Sequence, residues 1–215
     1  MWVRIFVVVC LFCEALATAN PDSNGSCVLP EVEDVDWNML PGTWYQIMNS
    51  HDAYDDHVNC FTMRNLKSTP EGGYMEDVIY SVESNESFPL SYTPHIMPAH
   101  WIDRGNSRFT FDSRYKFLGI DEAVGGGAKG NAMKELDGFF TNPITYVTDY
   151  ENYVIFMQCD STDYRNVWVS MRNNRPSAAD ILRIHNRLIG MGDGWDEVEI
   201  YLTGCTKLPK AQNYI

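Results

Sequence analysis

The feature that most limits the fold of this chain is a train of short apolar and alternating runs, each ended by turn residues. The train starts at Gly42 and continues almost to the C-terminus. The runs fall at 42–48, 58–66, 74–82, 88–97, 108–112, 144–149, 153–159 and 166–171. They are rich in β-branched and aromatic residues and short enough to read as strands. Pro89 and Pro94 interrupt the fourth run, which therefore reads as an irregular or edge strand. Roughly eight strands at this spacing predict an all-β sandwich or barrel.

One helix follows the strands. Ser177 is placed as its N-cap, with Pro176 before it and Asp180 completing a partial capping box. Ile181, Leu182, Ile184, Leu188 and Ile189 form an apolar stripe at helical spacing, which reads as a face packed on the sheet. Gly190 is the expected stop. A last short strand is expected over 197–202. The segment 118–142 is a long insertion containing Gly125, Gly126 and Gly127. It lacks the strand and GxxxxGK[ST] context of a phosphate loop and reads as a loop between strands. No internal repeat or domain boundary is visible.

Residues 1–19 read as a secretory signal peptide: Arg4, an apolar run over 5–13, then Ala17-Thr18-Ala19 as a small-residue cleavage signal. The run is shorter than the ~20 apolar residues a bilayer span needs, and no later stretch is long enough either. The expected mature chain, 20–215, is a single secreted domain. Four of the six cysteines remain in it, Cys27, Cys60, Cys159 and Cys205. Two disulfides in an oxidising compartment follow, with three connectivities open. The expected mature chain has no CxxC or Cys/His cluster that would suggest a metal. Asn24 and Asn85 are glycosylation acceptors by pattern.

Lys and Arg number 16 against 29 Asp and Glu, a net charge of −13. A chain this acidic lacks the basic face that nucleic acids and anionic membranes require. Enzyme readings find little footing. His51, His57, His95, His100 and His185 are scattered, no Gly-x-Ser-x-Gly elbow is present, and the mature cysteines are all expected to pair.

Gly42-Thr43-Trp44-Tyr45 opens the first strand, Thr148-Asp149-Tyr150 lies between two late strands, and Arg172 ends the strand just before the helix. Taken together, these three segments resemble the lipocalin family, and the stretch 148–159 resembles its apolipoprotein D and retinol-binding protein branch in particular. The resemblance covers about 27–205. It implies an eight-stranded antiparallel up-and-down barrel with one C-terminal helix outside, wide enough to hold one small ligand. It implies that Trp44 plugs the closed end with Arg172 across its ring, and that Asp149 supports the turn there. It further implies the pairings Cys27–Cys159 and Cys60–Cys205.

Strand alternation then assigns an inner lining. Counting from Trp44 puts Gln46 and Met48 inside, and counting back from Arg172 puts Ser170 and Trp168 inside. With Cys60 facing out, Phe61, Met63 and Asn65 face in. Phe109 and Phe111 share a face. Matching the family around Thr148 puts Thr145, Val147, Val154 and Phe156 inside. The third strand leaves two registers open. One turns Met75, Asp77 and Ile79 inward; the other turns Tyr74, Val78 and Tyr80 inward. The second is favoured, because burying Asp77 unpaired is costly. The resulting lining carries no charge and suits a retinoid, carotenoid, bilin, steroid or other lipid, with no cofactor required. The expected function is carriage of a small hydrophobic molecule, without nucleic-acid partners or catalysis. Self-association and a cell-surface receptor stay open. Two rival roles are a subunit of a pigment complex, as in crustacyanin-like lipocalins, and amine scavenging. The latter needs acidic groups inside, so the position of Asp77 discriminates. A competing expectation is a barrel filled by its own aromatic side chains.

Overall fold

The computed structural model of the chain describes residues 26–50, 60–83, 91–112, 114 and 142–208. The segment 1–19, Asn24, Asn85, His51, His57 and nearly all of 118–142 lie outside the described residues. Eight strands follow in chain order: β1 (Trp44–Asn49), β2 (Cys60–Thr69), β3 (Gly72–Glu83), β4 (Ser91–Asp103), β5 (Arg108–Phe111), β6 (Ile144–Thr148), β7 (Tyr153–Cys159) and β8 (Arg165–Met171). Each pairs antiparallel with the next, and β1 pairs with both β8 and β2, which closes the sheet into a barrel. A two-residue strand, β9 (Tyr201–Leu202), adds to the upper end of β1. The helix α1 (Ala178–Ile189) lies outside the barrel.

Of the two prolines in the fourth run, Pro89 lies outside the described residues. Pro94, with Pro98 further on, lies in β4, which pairs with β3 from Ser91 to Ile102 without a register shift. Its other neighbour, β5, reaches only Trp101, Ile102 and Asp103. Among the described residues, both Pro94 and Pro98 therefore stand where β4 has one strand partner, the edge-like setting in which a missing N–H is tolerated.

The capping box of α1 is complete. Ser177 Oγ accepts from the Asp180 N–H at 3.2 Å, and the Asp180 carboxylate accepts from the Ser177 N–H at 2.9 Å. The buried stripe is narrower than the sequence suggests. Ile184 and Leu188 pack on the outer barrel face with Val147, Ile155, Val167 and Val169, while Ile181, Leu182 and Ile189 are exposed. The final strand is shorter as well, because Trp195–Glu197 forms a 3-10 turn that buries the Trp195 ring.

Two disulfides clamp the barrel from outside, and they are the pairings the resemblance implies. Cys27–Cys159 ties the N-terminal segment to the end of β7, and Cys60–Cys205 ties the start of β2 to the C-terminal turn. They span 132 and 145 residues, so each stabilises by roughly 4–5 kcal/mol in the chain-entropy account.

Two bulges decide which side chains face in. In β1 the register with β8 shifts between Gln46 and Met48. In β2 the register with β3 shifts between Arg64 and Lys67, where Asn65 takes a left-handed backbone with φ of 55°. Below that bulge Lys67 pairs with Tyr74 and Thr69 with Gly72; above it Met63 pairs with Asp77 and Cys60 with Tyr80. An unbulged count from the turn would instead set Met63 opposite Val78. Asn tolerates the left-handed region that β-branched residues avoid. Asn65→Val should therefore lower unfolding stability by about 1–2 kcal/mol, with Asn65→Gly much milder. Equal denaturant midpoints for the wild type and Asn65→Val would contradict this role for Asn65.

Candidate functional site in the barrel interior

The floor of the barrel is built from the motif residues. Trp44 is fully buried, donates its indole N–H to the Leu40 carbonyl at 3.3 Å, and lies under the Arg172 guanidinium at 3.7 Å from the ring centre. Arg172 also donates to the Pro41 carbonyl. Gly42 adopts a φ of +84°, and a side chain there would press on the Arg172 guanidinium. A 3-10 turn at Trp37–Met39 carries the Trp37 ring into the floor, directly over Gly73, where no Cβ would fit.

Asp149 braces the adjoining β6–β7 turn. It accepts from the N–H groups of Glu151, Asn152 and Tyr153 and from the Asn152 amide. Burial pushes its carboxyl upward, but these bonds outweigh burial and hold it below the usual range. Thr148 Oγ1 accepts from the Tyr150 N–H and donates to the Tyr153 carbonyl. The Tyr150 hydroxyl accepts from the Asp36 N–H at 3.0 Å, which links this turn to the floor.

Directly opposed residues share a face of the sheet, so the pairing row from Trp44 defines the inside. Trp44 opposes Met63, Met63 opposes Asp77, and Asp77 opposes Met97. Phe61, Met63, Phe109, Phe111, Val154, Phe156 and Trp168 belong to the inner cluster. Gln46 and Ser170 oppose each other on the same face.

Six expected lining residues are placed elsewhere. Met48 faces outward into the core under α1, because the bulge after Gln46 turns Asn49 inward in its place. Asn65 is exposed at the β2 bulge, and Leu66 fills the inner position. Val78 and Tyr80 lie on the outer face, opposite Thr62 and Cys60, because the same bulge brings Asp77 opposite Met63. Thr145 and Val147 also face out. Val147 opposes Ile155 and joins the outer core, whereas Ile144 and Tyr146 point inward with Tyr146 opposite Phe156. The turn sets Thr148 opposite Val154, so the even-numbered residues of β6 and β7 share the inner face.

The inner residues missed in the sequence change the chemistry. Tyr146 is the hub of the aromatic cluster. Its ring lies 4.7–5.8 Å, centre to centre, from those of Trp37, Trp101, Phe109 and Phe156. Asp77 is 4% exposed, between Met63 and Met97. Among the described residues, Asp77 Oδ1, the Tyr146 hydroxyl, Trp101 Nε1, Trp37 Nε1 and Ser170 Oγ have no hydrogen-bond partner. Buried polar atoms are ordinarily satisfied, so these five atoms, spread round the inner face, are suited to a polar guest or water. Burial drives the Asp77 carboxyl well above its ordinary range. Burial, and then the Asp77 charge, push the Tyr146 phenol up.

No family model matches the sequence, and no curated protein does. Among solved structures, the chain is similar to the cockroach major allergen Per a 4, with a TM-score of 0.48 and 13% identity over 83% of this chain and 94% of that one. It is also similar to lobster apocrustacyanin A1, with a TM-score of 0.49 and 12% identity over 77% of each chain.

A carboxyl whose folded-state pKa is raised contributes stability below its unfolded pKa and loses it as pH rises through the folded value. Asp77→Asn should therefore stabilise the ligand-free barrel at neutral pH by on the order of 1–3 kcal/mol. The gain should shrink as the pH is lowered into the ordinary carboxylate range. A variant no more stable than wild type at neutral pH, by thermal or urea unfolding, would contradict the buried lone carboxyl.

Proposed function

We propose that the chain is a secreted lipocalin-like carrier that holds one small molecule inside its barrel and does not transform it. The leader-like segment 1–19 and the two disulfides support secretion. The single observation that carries the ligand class is the inward position of Asp77. An uncharged lining would suit a neutral retinoid, carotenoid, bilin or steroid. A carboxyl on the inner wall, beside aromatic rings and methionines, favours a flat apolar body bearing a protonated amine. The amine would pair with Asp77, the rings would cover the apolar body, and the Tyr146 hydroxyl and Trp101 N–H lie in the same interior. The net charge of −13 also draws cations to the molecule.

The second reading is a neutral apolar guest. The purely apolar neighbours of Asp77 on β2 and β4, Met63 and Met97, favour it. A protonated Asp77 would then only donate a hydrogen bond to a carbonyl or hydroxyl on that guest.

Calorimetry with tryptamine and its uncharged counterpart 3-ethylindole separates the two readings. Tryptamine should bind more tightly, and Asp77→Asn should weaken it at least about tenfold while leaving 3-ethylindole unchanged. Trp168→Ala should weaken both, since its ring stands on the inner wall opposite Phe156. Preference for 3-ethylindole, or tryptamine binding indifferent to Asp77→Asn, would establish the neutral guest instead.

A further inference from the structure

We propose that loading of this barrel is an exchange of cations at Asp77, in which the carboxyl carries a proton while the barrel is free and surrenders it to solvent as an ammonium group docks. The inference rests on the amine reading above and adds its regulation.

The surroundings of Asp77 carry the argument. Its neighbours on the same face are Met75 and Ile79 along β3, Met63 on β2, Met97 on β4, and Tyr146, which senses its charge from β6. The nearby cations belong to the other face. Arg64 pairs with Glu76 at 2.9 Å, and Lys67 sits over the Tyr74 ring. His100 stacks edge-on against the same Tyr74 ring. Arg108 donates to the Leu29 carbonyl outside the barrel. His95 stands opposite Ile79 in the register, and the experiment treats it as a separate variable. Among the described side chains, none on the inner wall supplies a positive charge to Asp77. A lone carboxylate in such a place is expensive, and protonation is the inexpensive escape. The upward shift of the Asp77 carboxyl through burial agrees.

The balance is simple. The O–H bond of the Asp77 carboxylic acid breaks, its proton goes to water, and the carboxylate accepts hydrogen bonds from the incoming R–NH3+. One positive charge leaves the site and one enters, so the wall stays neutral throughout. No redox step or co-reactant is involved. Apparent affinity then falls by up to about tenfold for each pH unit below the carboxyl's own pKa in the free barrel. Cargo would be held near neutrality and dropped on acidification.

The test is calorimetry of tryptamine at a series of pH values from acid to neutral, each in two buffers whose ionisation enthalpies differ widely. The wild type should release a proton fraction that rises toward one per amine bound as the pH falls below the carboxyl's own pKa. Its affinity should also rise with pH on the acid side, with a slope approaching tenfold per unit. Uncharged 3-ethylindole should give the same heat in both buffers. Asp77→Asn, checked as folded by its binding of 3-ethylindole, should lose the proton release or lose tryptamine binding altogether. His95→Gln should keep the release. Identical tryptamine heats in the two buffers at every pH would overturn the exchange and leave the amine reading standing. Release that survives Asp77→Asn, or that vanishes in His95→Gln, would assign the proton elsewhere and overturn it too. If 3-ethylindole bound and tryptamine did not, the amine reading itself would fall, and the exchange with it.

Discussion

One extra residue in β2 sets the chemistry of this barrel. Below the bulge at Asn65, the even-numbered residue Leu66 faces inward; above it, Met63 and Phe61 do. Without that shift, the straight register from the turn at 69–72 would place Met63 opposite Val78, and the inner wall of β3 would be Val78 and Tyr80. With the shift, the wall is Met75, Asp77 and Ile79. A period of two leaves no intermediate choice. The bulge at Asn65 is thus what lets Leu66 and Met63 share the inner face with Met75 and Asp77.

The scaffold around that wall is over-determined, and this lets it carry an unsatisfied group. Trp44 under Arg172, Trp37 seated on Gly73, and the Asp149 turn tied through Tyr150 to Asp36 all fix the floor. The two disulfides and α1 fix the outside. Against these, a lone buried carboxyl costs about as much as one unfavourable substitution. Local rules are broken where a site needs them broken, provided the rest of the fold is consistent.

The same contrast explains what was legible in the sequence. Trp44, Arg172, Ser177 with Asp180, and the alternation in β7 and β8 announce themselves by residue type and spacing, because each follows from local geometry. The two bulges do not. Nothing in the runs 42–48 or 58–66 marks an inserted residue, since neither contains a glycine at the shift. Straight counting therefore puts Met48, Asn65, Val78 and Tyr80 on the wrong face. Of the two registers open for the third strand, the cost of burying a lone carboxyl favours Asp77 outward, and the structure sets it inside. Thr145 and Val147 depend on the length of the β6–β7 turn, which sets Thr148 opposite Val154 and so turns them outward.

The aromatic crowding raises the question of whether the hollow is merely filled. Tyr146 touches four rings, and that cluster occupies much of the wall above the floor. A barrel packed only for stability would be served by Leu, Ile and Phe, which leave no polar atom to satisfy. Here the crowded interior includes Tyr146, Trp101 and Trp37, and each carries a buried polar atom without a partner among the described residues, as Asp77 does. Each such atom is a penalty for a filler and an asset for a receptor. The rings supply a rigid apolar platform, the polar atoms supply direction, and Met63, Met75 and Met97 supply adaptable edges. That division of labour is the one the proposed cationic, flat guest would use.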